Sequence, residues 1–324
     1  MKESIQIDSI IAEPGTTSYG FIDAGEMKDG TSVKIPLAII NGSENGEIIY
    51  IQAVSDGDEL NGVAVIQHIL NTISPKEIRG AIIAVPIANP YAFYYGQSEN
   101  IVDKKKLNRC FPGDNFGTSS QRIAYSLFYK VVMKAQYCID LHQCGISPMV
   151  DSVNVRISSR HRLHKKCMEL ARVFGIGYIL DQKGPNGQLA QSAPDLLGIP
   201  TIDPELGGCL GWDSESIQKG INGIQNVLKY YGFIDSKPAI PEKQIVVKKL
   251  QAIYNDRGGF IKYLAKISDI VEYHQPIADI CDPFGRTVET IFAPKKGVLW
   301  SKSGFPMAFS GSTICLLGTE ISYM

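Results

Sequence analysis

Two largely apolar runs, VKIPLAII at 33–40 and EIIYIQAV at 47–54, flank the turn-rich NGSENG and read as consecutive strands. The second is apolar enough to be buried on both faces, and it stops where the acidic DGDE begins. From Leu60 to Leu70 apolar residues recur at helical spacing, and AIIAVPI at 81–87 is another continuous run, closed by the turn residues ANP. The alternation continues with a helix over Ser120 to Ala135, a short buried strand at YCIDL, a helix near Arg162 to Phe174, a strand around Pro200 to Ile202 and a helix from Ser216 to Tyr231. Strands alternating with helices of this length predict a mostly parallel sheet with helices on both faces, and such sheets put their chemistry at strand ends.

After that last helix the pattern changes. SKPAIPEKQ, at 236–244, is a polar connector containing proline, and the tail beyond it has turn signals in NDRGG, DPFG, APKKG and SKSG at short intervals. We place a boundary there, with an α/β domain over 1–240 and a small β-rich domain over 241–324. Lys295 and Lys296 sit in one of the tail's turns, but they lack the flanking residues of a carrier-domain lysine, so no attached cofactor is expected there.

Composition narrows the function without naming it. The 32 Lys and Arg nearly cancel the 33 Asp and Glu, so no overall field draws the protein onto nucleic acid or an anionic membrane. No segment reaches the apolar length of a membrane span and no leader pattern opens the chain, which predicts a cytoplasmic protein. Seven cysteines without paired spacing read as mostly buried thiols in a reducing compartment.

Four local patterns carry candidate chemistry. Asp56, Asp58 and Glu59 gather in a turn after a buried strand, where mutual repulsion calls either for a cation or for a solvated loop that caps the next helix. His142 emerges from the end of the apolar YCID strand beside Asp140, placed to present one ring nitrogen to a metal or to act as a hydrogen-bonded structural residue. Glu205, in GIPTIDPELGG, follows another apolar run; a carboxylate facing a metal there takes a proton from bound water, and Gly207 and Gly208 beside it let a backbone approach a ligand. In LNRCFPG, Asn108 and Arg109 precede an FPG turn, and an Arg fork suits a substrate carboxylate where a surface position is the alternative. His68, His161 and His164 read as ordinary helix residues.

In order and spacing, DGDELNG, PIANPYAF, LNRCFPG, YCIDLH and GIPTIDPELGG together resemble the succinylglutamate desuccinylase/aspartoacylase family, a branch of the zinc carboxypeptidase superfamily. The resemblance spans roughly Leu37 to Ile234, and the tail, with DPFGRTVETIFAPKKGVLW, is similar to that family's small C-terminal domain. It implies a zinc-carboxypeptidase-like α/β fold with a mixed, mostly parallel sheet, plus a small C-terminal all-β domain. It also implies Asp56, Glu59 and His142 as metal ligands, Asn108 and Arg109 as the grip on a substrate carboxylate, and Glu205 as the catalytic proton shuttle. Two departures stand out: Asp56 occupies the place of the family's His, and the family's oxyanion Arg is missing around Ser98, which leaves Lys104, Lys105 and Lys106 as nearby cations. Zn2+ is the first expected ion, with another divalent metal admitted by the harder ligand set that Asp56 creates.

The expected function is therefore a metal-dependent hydrolase that cleaves the amide of a small N-acylated amino acid. A catalytically silent binding protein of the same fold and a carboxypeptidase acting on peptides remain as alternatives. The expected partner is a small molecule carrying a carboxylate, with no nucleic acid and no membrane, and association into a homo-oligomer is left open.

Overall fold

In the strand Glu44–Ala53, Ile49 and Ile51 enter one apolar core while Tyr50 enters another. The same split recurs next door: Ile82 and Ala84 face one way and Ile83 the other, as do Ile139 and Cys138. A period of two with both faces apolar demands cover on both sides. On the first face the cover comes from the helices Asn61–Thr72, His164–Phe174 and Ser214–Tyr230. On the second it comes from Ser119–Ser126, the turns that continue it, and the segment 189–197.

The structure is a computed structural model that describes residues 2–208 and 211–324, so Cys209, one of the cysteines read above, lies outside the described residues. Twelve strands form one sheet in the order Ile270–Val271, Gly297–Lys302, Thr313–Tyr323, Ile245–Tyr254, Tyr178–Asp181, Ser152–Val155, Thr201–Gly208, Tyr137–Cys144, Glu44–Ala53, Arg79–Val85, Ser32–Asn41 and Thr16–Glu26. Pairing is parallel from Thr201–Gly208 through Tyr137–Cys144 and Glu44–Ala53 to Arg79–Val85, and antiparallel towards the N-terminal edge. The parallel centre is what the alternating pattern predicts, and the sheet as a whole is mixed, as the resemblance implies.

The tail adds a four-stranded antiparallel sheet, ordered Thr287–Phe292, Pro276–Cys281, Gly259–Tyr263 and Met307–Ala308. Its remaining strands do not stand apart. Ile245–Tyr254 pairs in parallel with Tyr178–Asp181 and antiparallel with Thr313–Tyr323, so the large sheet continues across the connector at 236–244. The change of composition there marks a change of style along the chain, while the hydrogen-bonded sheet crosses it unbroken.

Helix ends follow local chemistry. Asp213 caps the helix Ser214–Tyr230 by accepting from the backbone N–H of Glu215 at 3.0 Å and of Ser216 at 3.2 Å. The helix expected over 120–135 begins at Ser119 behind a Thr118–Gln121 capping box, but keeps α geometry only to Ser126. Its continuation over Leu127–Val131 has wide π-type turns, and Val132–Lys134 tightens to a 3-10 turn. Six described cysteines are free thiols: four are buried, and Cys110 and Cys144 are partly exposed. Among the described residues no helix is long and apolar enough to cross a membrane.

Candidate active site

The acidic turn is set by backbone geometry at the end of the Glu44–Ala53 strand. Val54 adopts φ 59°, an uncommon conformation for a β-branched residue, and the chain swings out of the sheet there. The amide of Asn89 donates to Val54 O at 3.0 Å, and Asn89 Nδ2 donates to Ser55 O at 3.1 Å. At Gly57 a Cβ would lie 2.1 Å from the Ala92 carbonyl carbon, so only glycine lets the turn pack under the helix Pro90–Tyr95. This presents Asp56 and Glu59 beside the ends of two parallel strands. His142 lies on one of those strands and is register partner of Glu205 on the other.

His142 is held from three sides. Its Nδ1 is 2.8 Å from Glu59 Oε2, and its Nε2 is 3.0 Å from both Asp140 Oδ2 and Asn108 Nδ2. Asp140 is fully buried; its Oδ1 accepts from Gln52 Nε2 at 2.8 Å, while its Oδ2, near the ring, makes no hydrogen bond. Glu59 Oε2 accepts from the Gln143 backbone amide at 3.1 Å. Asn108 is oriented by the Leu189 amide, which donates to its Oδ1 at 3.0 Å; this assigns the amide nitrogen to the ring. A hydrogen bond at this distance places a proton between Glu59 and Nδ1.

The carboxylates around the ring pull towards its protonated form, in which Nε2 carries a proton directed at Asp140 and cannot accept from Asn108. Burial alone favours a neutral imidazole, but the charges of Asp140 and Glu59 outweigh it and hold the His142 pKa well above its ordinary value. Burial raises the Glu59 pKa, which His142 only partly offsets.

The opposite side of the turn is arranged otherwise. Asp56 Oδ2 accepts from Lys106 Nζ at 2.8 Å, with the Lys106 side chain 37% exposed and that of Asp56 10% exposed. Burial works against the charge on Lys106, yet the hydrogen bond and charge of Asp56, with Glu59 behind it, keep its pKa above the usual lysine value. Lys104 and Lys105 are exposed and stand apart from this contact.

A third group lies around Glu205. Arg156 Nε donates to Asp203 Oδ2 at 2.8 Å, and its Nη2 is 3.7 Å from Glu205 Oε1. Burial, then the charges of Asp203 and Glu59, push Glu205 up to about 8, with His142 and Arg156 acting in the other direction.

Asp56, Glu59, Lys106, Asn108, His142, Arg156, Asp203 and Glu205 line one cleft of about 570 Å³, together with Asp58, Ser98, Arg109, and Leu250 and Trp300 from the tail. The six residues singled out for chemistry, Asp56, Glu59, Asn108, Arg109, His142 and Glu205, therefore come to one place. Three features differ from expectation. Asn108 spends its amide on His142 and on the Leu189 backbone, leaving Arg109, which is exposed at the rim, to face a ligand. Gly207 and Gly208 serve protein packing: a Cβ on Gly207 would meet Ser216 Oγ at 2.6 Å, and one on Gly208 the Ser147 carbonyl oxygen at 1.9 Å. Arg156 was not singled out; its signal is a basic residue directly after the short strand Ser152–Val155, opposite the carboxylates spaced two apart in DPE.

As arranged, the donors do not fit a three-ligand metal ion. Glu59 and His142 are bonded to each other, Asp56 is paired with Lys106, and among the described residues no three His, Cys, Asp or Glu side chains gather closely enough to share an ion. Asp56 Oδ1 and Asp58 Oδ1 are buried without a hydrogen-bond partner.

A mixed α/β sheet with acidic, imidazole and guanidinium groups gathered at its strand ends defines a zinc-carboxypeptidase-like fold. The model of the succinylglutamate desuccinylase/aspartoacylase catalytic domain matches residues 45–231, and the chain belongs to that family. It is 26% identical over 324 residues to an N-alpha-acetyl-L-2,4-diaminobutyric acid deacetylase of Halomonas elongata, covering 95% of this chain and 93% of the relative. In fold it is similar to a succinylglutamate desuccinylase of Silicibacter sp., with a TM-score of 0.85, 23% identity, and coverage of 98% of this chain and 97% of that one. It is also similar to the product-bound ectoine utilization protein EutE (DoeB) of Ruegeria pomeroyi, with a TM-score of 0.85, 21% identity, and coverage of 98% and 100%.

Proposed function

We propose that this chain is an amide hydrolase that removes the acyl group from a small N-acylated amino acid. The observation that carries the reading is the convergence of Glu205, Arg156, Arg109 and Lys106 on one cleft, of a size suited to a small molecule. Arg109 at the rim anchors the substrate carboxylate through its planar fork. Glu205 takes a proton from the attacking water and returns it to the leaving amine, giving a carboxylic acid and a free amino acid. Lys106 and Arg156 face the negative charge that develops on the carbonyl oxygen. Asn108 and Asp140 orient His142. The zinc or other divalent ion expected from the resemblance has no three-donor seat in this arrangement, so no step is routed through one.

The Halomonas elongata relative is named for a deacetylase acting on an N-acetylated amino acid, which puts N-acetyl amino acids first in a substrate panel, followed by N-succinyl ones. Release of free amine is the readout. Turnover that falls by about a hundredfold or more in Glu205→Gln supports the reading; unchanged turnover in that variant removes Glu205 from the role.

A second reading is favoured by one contact. The Asp56–Lys106 ion pair is what a protein that binds an acyl amino acid without cleaving it would tolerate. Calorimetric binding of a panel compound that the protein leaves uncleaved would select it.

A further inference from the structure

We propose that Lys106 is the resident cation of this cleft, neutralising Asp56 where the third ligand of a divalent ion would otherwise be recruited, so that the protein takes up no tightly bound divalent metal at Asp56, Glu59 and His142. The pairing is built into the fold. The turn before Lys106 is tied down by backbone bonds from Lys104 N to Asn100 O at 2.8 Å and from Asn100 N to Lys105 O at 2.9 Å. Asp103 then fastens it to the helix Ser119–Ser126, accepting from both the amide and the hydroxyl of Ser120 at 2.9 Å. Lys106 is therefore delivered into the cleft, while its neighbours Lys104 and Lys105 remain outside.

Charge across the whole cleft supports the same conclusion. Asp56 faces Lys106, Glu59 faces His142, and Asp203 and Glu205 both face Arg156, each within 4 Å. Of the five carboxylates that line the cleft, Asp56, Asp203 and Glu205 face organic cations and Glu59 is hydrogen-bonded to His142, while Asp58 keeps a buried oxygen without a hydrogen-bond partner. A divalent ion at Asp56, Glu59 and His142 would have to displace the ammonium and open the Glu59–His142 contact to enter. Only part of Lys106's hydrogen-bonding capacity is used by Asp56, and its partly exposed ammonium has further N–H groups to offer a ligand oxygen in the cleft.

The inference does not rest on the hydrolase reading, because metal content and amine release are separate readouts. The full chain is incubated with zinc chloride, desalted, and measured for retained zinc by mass spectrometry and for a shift in melting temperature. Wild type is expected to retain no more than about a tenth of an equivalent and to show no shift, whereas Lys106→Met, which frees Asp56, retains towards about one equivalent that is lost again on adding His142→Ala. About one equivalent on the wild type, abolished by His142→Ala, overturns the proposal, as does a folded Lys106→Met variant that holds no more zinc than wild type. If Lys106→Met does not fold, the wild-type measurement alone decides.

Discussion

The two sides of the acidic turn treat charge differently. Behind Glu59, the imidazole of His142, the buried Asp140 and the amides of Asn108 and Gln143 form a closed set, in which the His142 and Glu59 side chains are only 6% and 11% exposed. At Asp56, a few residues earlier, one flexible ammonium does the balancing, and its stem lies partly in solvent. Carboxylates in the same turn can thus be stabilised either by a rigid, desolvated network or by a single adjustable side chain. The first resists disturbance and the second tolerates it.

The hardest test lies at Glu205, in register with His142 but grouped with Arg156. Glu205→Gln is expected to lower kcat by about 10²- to 10⁴-fold with little change in KM. Because its pKa is pushed up to about 8, the ionised base becomes available as pH rises. Wild-type turnover should therefore climb through that range, and a flat profile in steady-state assays would contradict the assignment.

Breaking the closed network itself comes next. His142→Ala leaves Glu59 and Asp140 buried without their partner and should cost about 3–5 kcal/mol, read from urea unfolding curves. Arg109→Ala touches neither carboxylate network; it should raise KM by roughly tenfold through the loss of a charged hydrogen bond, at nearly unchanged kcat. The smallest effect belongs to Asp56→Asn. Because Lys106 is 37% exposed and can turn to solvent when Asp56 loses its charge, the loss should be about 1 kcal/mol, and an unfolding loss as large as that of His142→Ala would erase the contrast between the two sides.

Much of this was legible in the sequence, for reasons that can be located. The strands at 44–53 and 79–85 and the helices at 61–72 and 214–230 announce themselves because both faces, or one clear stripe, are apolar. Thr16–Glu26 was missed because it is an edge strand whose residues are mostly partly or fully exposed, and Ser152–Val155 and Tyr178–Asp181 are too short to show a period. The six chemical residues were legible as motifs, but not their partners. Lys106 stood in a run of three lysines named only as cations near the place of the missing Arg, and nothing in the sequence singled it out as the partner of Asp56. Arg156 carried no motif at all, since its role depends on Asp203 and Glu205 from a strand about fifty residues away.

The continuity of the large sheet has a consequence for the order in which the molecule is completed. Thr313–Tyr323 pairs with both Ile245–Tyr254 and Gly297–Lys302, and the latter supplies Trp300 to the cleft. A chain emerging from the ribosome therefore has its acidic turn, His142 and Glu205 long before it has the strand that secures the last wall. The last wall of the cleft is secured by residues far downstream of the ones that carry its chemistry.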